Sequence, residues 1–160
     1  MEGDQRGGVG FACTKGVYGT AIRLAERLRH PIKGGGMWSH TFCSLGDGTV
    51  IQARARGISL DPLSDITGTI KIVPCPGDPE KFIEFHRNRL GQKYGWLTIF
   101  CQVVDIITPE WFPAFRRVNT WDCGGVVGAA LWYSGKDYPF PDVYLQRPND
   151  IEGWVCGPVQ

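Results

Sequence analysis

A glycine-rich and almost wholly apolar run from Trp121 to Ser134, W-D-C-G-G-V-V-G-A-A-L-W-Y-S, constrains this chain more than any other stretch. A segment apolar on every side is suited to an interior, so the run predicts a buried helix. Asp122 is suited to cap it, and Cys123 stands in its first turn, where backbone N–H groups lack internal partners and the helix dipole is positive. That position predicts a thiol of lowered pKa, with the thiolate favoured. Glycine costs about 1 kcal/mol against alanine inside a helix, so Gly124 and Gly125 predict a close approach to the first turn, for instance by a substrate backbone. The same cysteine also fits a plainer role as a small buried hydrophobe.

The 160 residues, 42% of them hydrophobic, suit one globular domain spanning residues 1–160 with a single core. A net charge of +1 excludes a general field that would draw nucleic acid or anionic lipid. The opening M-E-G-D-Q-R-G-G has no basic segment leading into an apolar run, which predicts a cytoplasmic species as synthesised, without a signal peptide. The longest apolar run, Trp96 to Ile107, is too short for an integral membrane segment and contains Gln102 and Asp105. It reads as core or as a lipid-facing lip of a site. The six cysteines (Cys13, Cys43, Cys75, Cys101, Cys123, Cys156) include no C-x-x-C pair and read as reduced core thiols; with only three histidines present, neither a metal site nor a cofactor is implied.

Along the chain, Gly8 to Thr14 predicts a short interior strand and Val17 to Leu28 a helix, ended at His30-Pro31 and followed by a glycine loop, Gly34 to Gly36. Met37 to Leu45 alternates as a strand, with Gly46-Asp47-Gly48 turning into a second strand, Thr49 to Ala53. Gly57 to Leu60 and Thr69 to Pro74 predict two more, giving a small antiparallel sheet. Asp78-Pro79 opens a helix that runs to Leu90 and stops at Gly91, with Phe82, Ile83, Phe85, His86 and Leu90 on its inner or partly inner side. Gln92 to Gly95 reads as a turn, Trp96 to Ile107 as a second apolar helix, and Glu110 to Thr120 as an irregular cover. Beyond Gly135 four prolines limit regular structure, with Arg147 to Ile151 a capped turn into a short helical or extended piece. The fold class is therefore α+β: a small antiparallel sheet packed against a central helix that carries the cysteine.

A nucleophilic thiol needs a base, and the base needs a third group to hold its tautomer. His30 lies at a helix end beside proline, and His86 stands next to Arg87 and near Arg89, so both read as surface or boundary residues. His40 sits in a strand with Trp38 and Phe42 on its own face, which predicts a partly buried, oriented imidazole or, more plainly, a satisfied core histidine. Gln52, on the paired strand, can place its amide oxygen on one ring N–H and turn the other nitrogen towards sulfur. Ser39 lacks a G-x-S-x-G elbow, and Gly34 to Gly36 lacks the lysine and hydroxyl residue of a phosphate loop.

The order W-S-H-T-F, G-D-G-T-V-I-Q-A-R-A-R-G-I, L-G-Q-K-Y-G-W and W-D-C-G-G-V-V-G-A-A-L resembles the circularly permuted papain-like hydrolases of the NlpC-like superfamily, nearest the YiiX and YaeF type. Lecithin:retinol acyltransferase is a more distant relation. The resemblance runs from about Gly8 to Asp150. It implies a permuted papain-like fold with Cys123 as nucleophile, His40 as base and Gln52 as orienter, where the family commonly has a glutamate. Trp38, Tyr94 and Gly124 are the implied substrate contacts. The implied reaction is thiol-dependent cleavage of an amide or peptide bond, the implied partner a peptide or peptidoglycan fragment from bacterial cell wall. Without a leader, the protein would meet that wall through lysis, a virion or injection. Two alternatives stand beside this: a thiol acyltransferase or lipid esterase holding an acyl chain on Trp96 to Ile107 and Trp111 to Phe115, and a non-catalytic binding or structural module.

Overall fold

The computed structural model describes residues 5–15, 20, 23, 37–97, 120–137 and 146–157. β-branched and aromatic residues in short alternating runs build one antiparallel sheet from β1 (Val9–Thr14), β2 (His40–Ser44), β3 (Thr49–Arg54), β4 (Gly57–Pro62) and β5 (Gly68–Val73). The spatial order is β4-β3-β2-β1-β5, so the first strand lies between β2 and the edge strand β5, pairing Val9 with Cys43 on one side and with Val73 on the other. Tight hairpins set the β3–β4 register: Gln52 faces Ser59 and Val50 faces Asp61. Gly46 and Gly48, both at positive φ, make the turn before β3.

Side chains alternate across the sheet, and each face carries its own apolar layer. One face holds Phe11, Cys43, Ile51 and Ala53 against the helices; the other holds Ala12, Phe42, Val50 and Ile66. The helical layer contains α1 (Pro79–Arg87), α2 (Cys123–Tyr133) and α3 (Pro148–Cys156). In α1, Asp78 caps by accepting from the backbone N–H groups of Glu80 and Lys81, and Pro79 takes the first turn, where no donor is missed. Helix α2 is buried from Cys123 to Leu131, as an all-apolar helix must be, and its capping Asp122 accepts from the Gly125 N–H at 2.9 Å.

Several expectations are corrected. Gln92 to Gly95 is not simply a turn: Lys93–Tyr94 (β6) runs parallel to Thr120–Trp121 (β7), a pairing across distant sequence that local turn signals cannot reveal. Of the helical and extended alternatives after the capped turn at Arg147, the helical one is formed: α3 runs nine residues because its proline falls at the first helical position, where it is tolerated. His86 is fully buried, its Nδ1–H donating to the Phe82 carbonyl at 2.8 Å, while Arg87 is exposed; the helix ends at Arg87, and Arg89 and the exposed Leu90 lie beyond it. The strand expected from Met37 starts at His40. Of the helices expected at 17–28 and 96–107, the described residues Thr20, Arg23, Trp96 and Leu97 are helical. His30, the 34–36 loop and the cover at 110–119 lie outside the described residues, as does Cys101.

Candidate functional site

His40 is the first residue of β2, and the pleat puts it on the same face as Phe42, whose ring centroid lies 6.3 Å away. Its Nε2 is 2.8 Å from Gln52 Oε1. The Gln52 amide is itself oriented, because its Nε2 donates to Asp61 Oδ2 at 2.9 Å and a carboxylate can only accept. With the amide nitrogen committed to Asp61, the amide oxygen must face the imidazole, so His40 carries its proton on Nε2 and presents Nδ1 as a lone pair. Asp61 is held in turn by the Ser59 hydroxyl, 2.7 Å from Oδ2, and by an ion pair between Oδ1 and Arg56. Burial opposes the charge on Asp61, but the bonds from Ser59 and Gln52 and the Arg56 charge outweigh it and hold the carboxyl below its ordinary range. Every bond in this chain involves a buried or half-buried group, where a polar network must be complete to be tolerated.

Asp61 carried no signal in the sequence beyond its place in S-L-D-P. The β3–β4 register places Ser59 opposite Gln52, and the chain comes back to that side of the sheet at Asp61.

Cys123 opens α2 beside the start of β2. Thr41 Oγ1 donates to the Cys123 carbonyl at 2.8 Å, and the Thr41 backbone N–H acts to lower the thiol pKa. That N–H is available because the ladder between β2 and β3 consists of Cys43↔Ile51 and Ser44↔Val50, leaving the first residues of β2 splayed from β3. The thiol is 4% exposed. Burial pushes its pKa up to about 12, the Asp122 carboxylate adds to the rise, and the N–H groups of Thr41, Gly124 and Cys123 itself act against it. The lowered pKa expected from the helix start is thus corrected: desolvation outweighs the helix-terminal N–H groups. Burial likewise lowers His40 to about 4, opposed by the Gln52 oxygen and reinforced by Arg54. Thiol and imidazole are therefore both neutral at neutral pH. Thr41 faces the helix while His40 faces the opposite side of the strand, and no hydrogen bond joins the His40 ring to Cys123.

The remaining expected contacts divide. Tyr94 stands on the strand paired with the one that leads to the thiol: burial raises its pKa, and negative charge at Cys123 or Asp122 raises it further. Its strand partner is Trp121, two residues before the cysteine. Trp38 is buried in the helix-side core against Phe11, its backbone N–H and carbonyl both bonded to the Asn149 side chain at 3.1 Å; it precedes the strand and does not share the face of His40 and Phe42, which corrects the expected alternation. Gly124 has a local reason: a Cβ there would stand 1.8 Å from the Gln146 carbonyl oxygen. The close approach that its sequence position predicts is made by the chain's own backbone.

Among the described residues no group of three or more His, Cys, Asp or Glu side chains is placed to hold a metal ion, and no described helix is long and apolar enough to cross a membrane. Comparison of the chain with protein-family models, curated proteins and solved structures finds no match.

Proposed function

We propose that this chain is a thiol hydrolase of permuted papain-like fold, acting on an amide or peptide bond with Cys123 as nucleophile and His40 as general base. The observation that carries the reading is the Asp61–Gln52–His40 chain of hydrogen bonds. A buried histidine can be satisfied in either tautomer, yet here Gln52 and Asp61 together fix which nitrogen is basic. The residue after that histidine contacts the cysteine that starts the central helix.

Because both groups rest neutral, the nucleophile forms during the reaction. The Cys123 S–H proton passes to His40 Nδ1 as sulfur attacks the carbonyl carbon; the S–C bond forms and the carbonyl electron pair moves onto oxygen. In this reading the Cys123 N–H receives that oxyanion, with the N–H of Thr41 or Gly124 as the candidate second donor. Collapse breaks the C–N bond, and the imidazolium returns its proton to the leaving amine. Water, deprotonated by His40, then cleaves the thioester and regenerates the thiol. Bringing Nδ1 to the sulfur requires the imidazole to reach past the end of β2, a movement that substrate binding supplies in this reading. The favoured substrate is a bacterial cell-wall peptide, on the strength of the motif resemblance.

A second reading is favoured by a specific observation: a buried neutral thiol without a hydrogen bond to the imidazole is also what a non-catalytic module would have. Digestion of muropeptides read by mass spectrometry separates the two. Hydrolysis that disappears in both Cys123→Ala and His40→Ala, each folded by circular dichroism, supports the hydrolase. Full turnover in Cys123→Ala would sink it, and the absence of turnover in the native chain favours the second reading.

A further inference from the structure

Beside Tyr94 lies a cleft of about 460 Å³, and its composition is uneven. Arg56 and Lys93 supply two cations, while Tyr94, Trp96 and Leu97 supply apolar wall; no carboxylate is among its described lining residues. The cations come from separate parts of the chain and are brought together by backbone hydrogen bonds. The Ile58 N–H donates to the Gln92 carbonyl and the Gly91 N–H to the Ile58 carbonyl, both at 2.9 Å. A Cβ at Gly57 would stand 2.5 Å from the Gln92 oxygen, so glycine permits this contact between the β3–β4 turn and the start of β6.

Arg56 has one nitrogen on Asp61, but its side chain is 63% exposed and a guanidinium carries five N–H donors in a fork. Lys93 is exposed. The Tyr94 and Trp96 rings meet edge to face at 5.0 Å, giving the wall a fixed shape. An anion seated here would meet two positive groups, and the short hydrocarbon chain behind it would lie on aromatic surface.

We infer that this cleft binds an anionic group, a carboxylate or a phosphate, carried on a short apolar stem of the substrate. The inference rests on the thiol-hydrolase reading for the word substrate, and on the cleft alone for the binding of an anion. Tyr94 lines the cleft and pairs with Trp121, two residues before Cys123, so in the hydrolase reading the anion is recognised on the strand that leads into the thiol helix.

Two measurements test it. The first compares kcat/KM for p-nitrophenyl hydrogen glutarate with that for p-nitrophenyl pentanoate, acyl chains of equal length with and without a terminal carboxylate. The acidic ester is expected to be favoured by about tenfold at low ionic strength, less at high salt, and Lys93→Glu is expected to reverse the preference. The second follows the Trp96 indole N–H resonance, assigned with Trp96→Phe, while glutarate or inorganic phosphate is added to the native chain and to Lys93→Gln. A saturable shift in the native chain that is weakened in Lys93→Gln supports the cleft, and the more effective anion identifies carboxylate or phosphate as its ligand. If neither anion moves the resonance, the inference fails, even where both esters are hydrolysed. If an anion binds but neither ester is turned over, the anion site stands and the hydrolase reading falls.

Discussion

At the scale of single residues, the consequence of burial is a thiol and an imidazole that both rest uncharged. Alkylation of Cys123 by iodoacetamide should therefore be slow at neutral pH and climb steadily as pH rises towards the thiol pKa of about 12. A rate already at its plateau at neutral pH would reveal a standing thiolate–imidazolium pair and contradict this. Asp61 gives a second prediction. Asp61→Leu removes the acceptor that holds the Gln52 amide, freeing it to turn its NH2 towards His40; the ring tautomer then becomes mixed in 15N spectra and turnover drops by at least about tenfold. Asp61→Asn can keep an oxygen on Gln52 Nε2 and should retain most activity and a single tautomer. Equal losses in the two variants, with the tautomer unchanged, would leave Asp61 a merely structural residue.

At the scale of elements, the two ends of the chain's glycine usage make opposite predictions. Gly124→Ala drives a Cβ against the Gln146 backbone, which cannot rotate away as a side chain can; a loss of about 3 kcal/mol is expected in urea unfolding. Gly153, inside α3, has no atom within 4 Å of its missing Cβ, so Gly153→Ala should add up to about 1 kcal/mol. The strands and the central helix were legible because their signals are local: alternation in β2 to β5, the Asp122 cap and an all-apolar run in α2. The pairing of β6 with β7 was not, since two-residue strands are defined only by a distant partner. The cap at Arg147 left α3 open between helical and extended, and adjacent arginines disguised His86, whose burial depends on which face of α1 meets the core. At the site, the contact between His40 and Gln52 is readable from a hairpin with a short turn, whereas Asp61 joins them only through the next hairpin's register.

At the scale of the whole molecule, two buried histidines make stability depend on acid. His40 and His86 are each lowered from 6.5 to about 4, chiefly by burial. Above 6.5 both are neutral whether folded or unfolded, and nothing changes. Between 6.5 and about 4 the unfolded chain takes up protons that the folded one refuses, so stability is lost as pH falls through that window. At about 1.4 kcal/mol per pH unit, each histidine accounts for a loss on the order of 3 kcal/mol. Urea midpoints at neutral pH and near pH 4 measure this, and equal midpoints would contradict it. The seal at Gly124 carries a different kind of consequence. The backbone lying against the first turn of the thiol helix belongs to Gln146, and the Trp38 backbone is fastened by Asn149. During synthesis Cys123 leaves the ribosome before either of them. Until that later segment arrives, the cysteine is an ordinary accessible thiol, open to oxidants and electrophiles that the finished fold excludes.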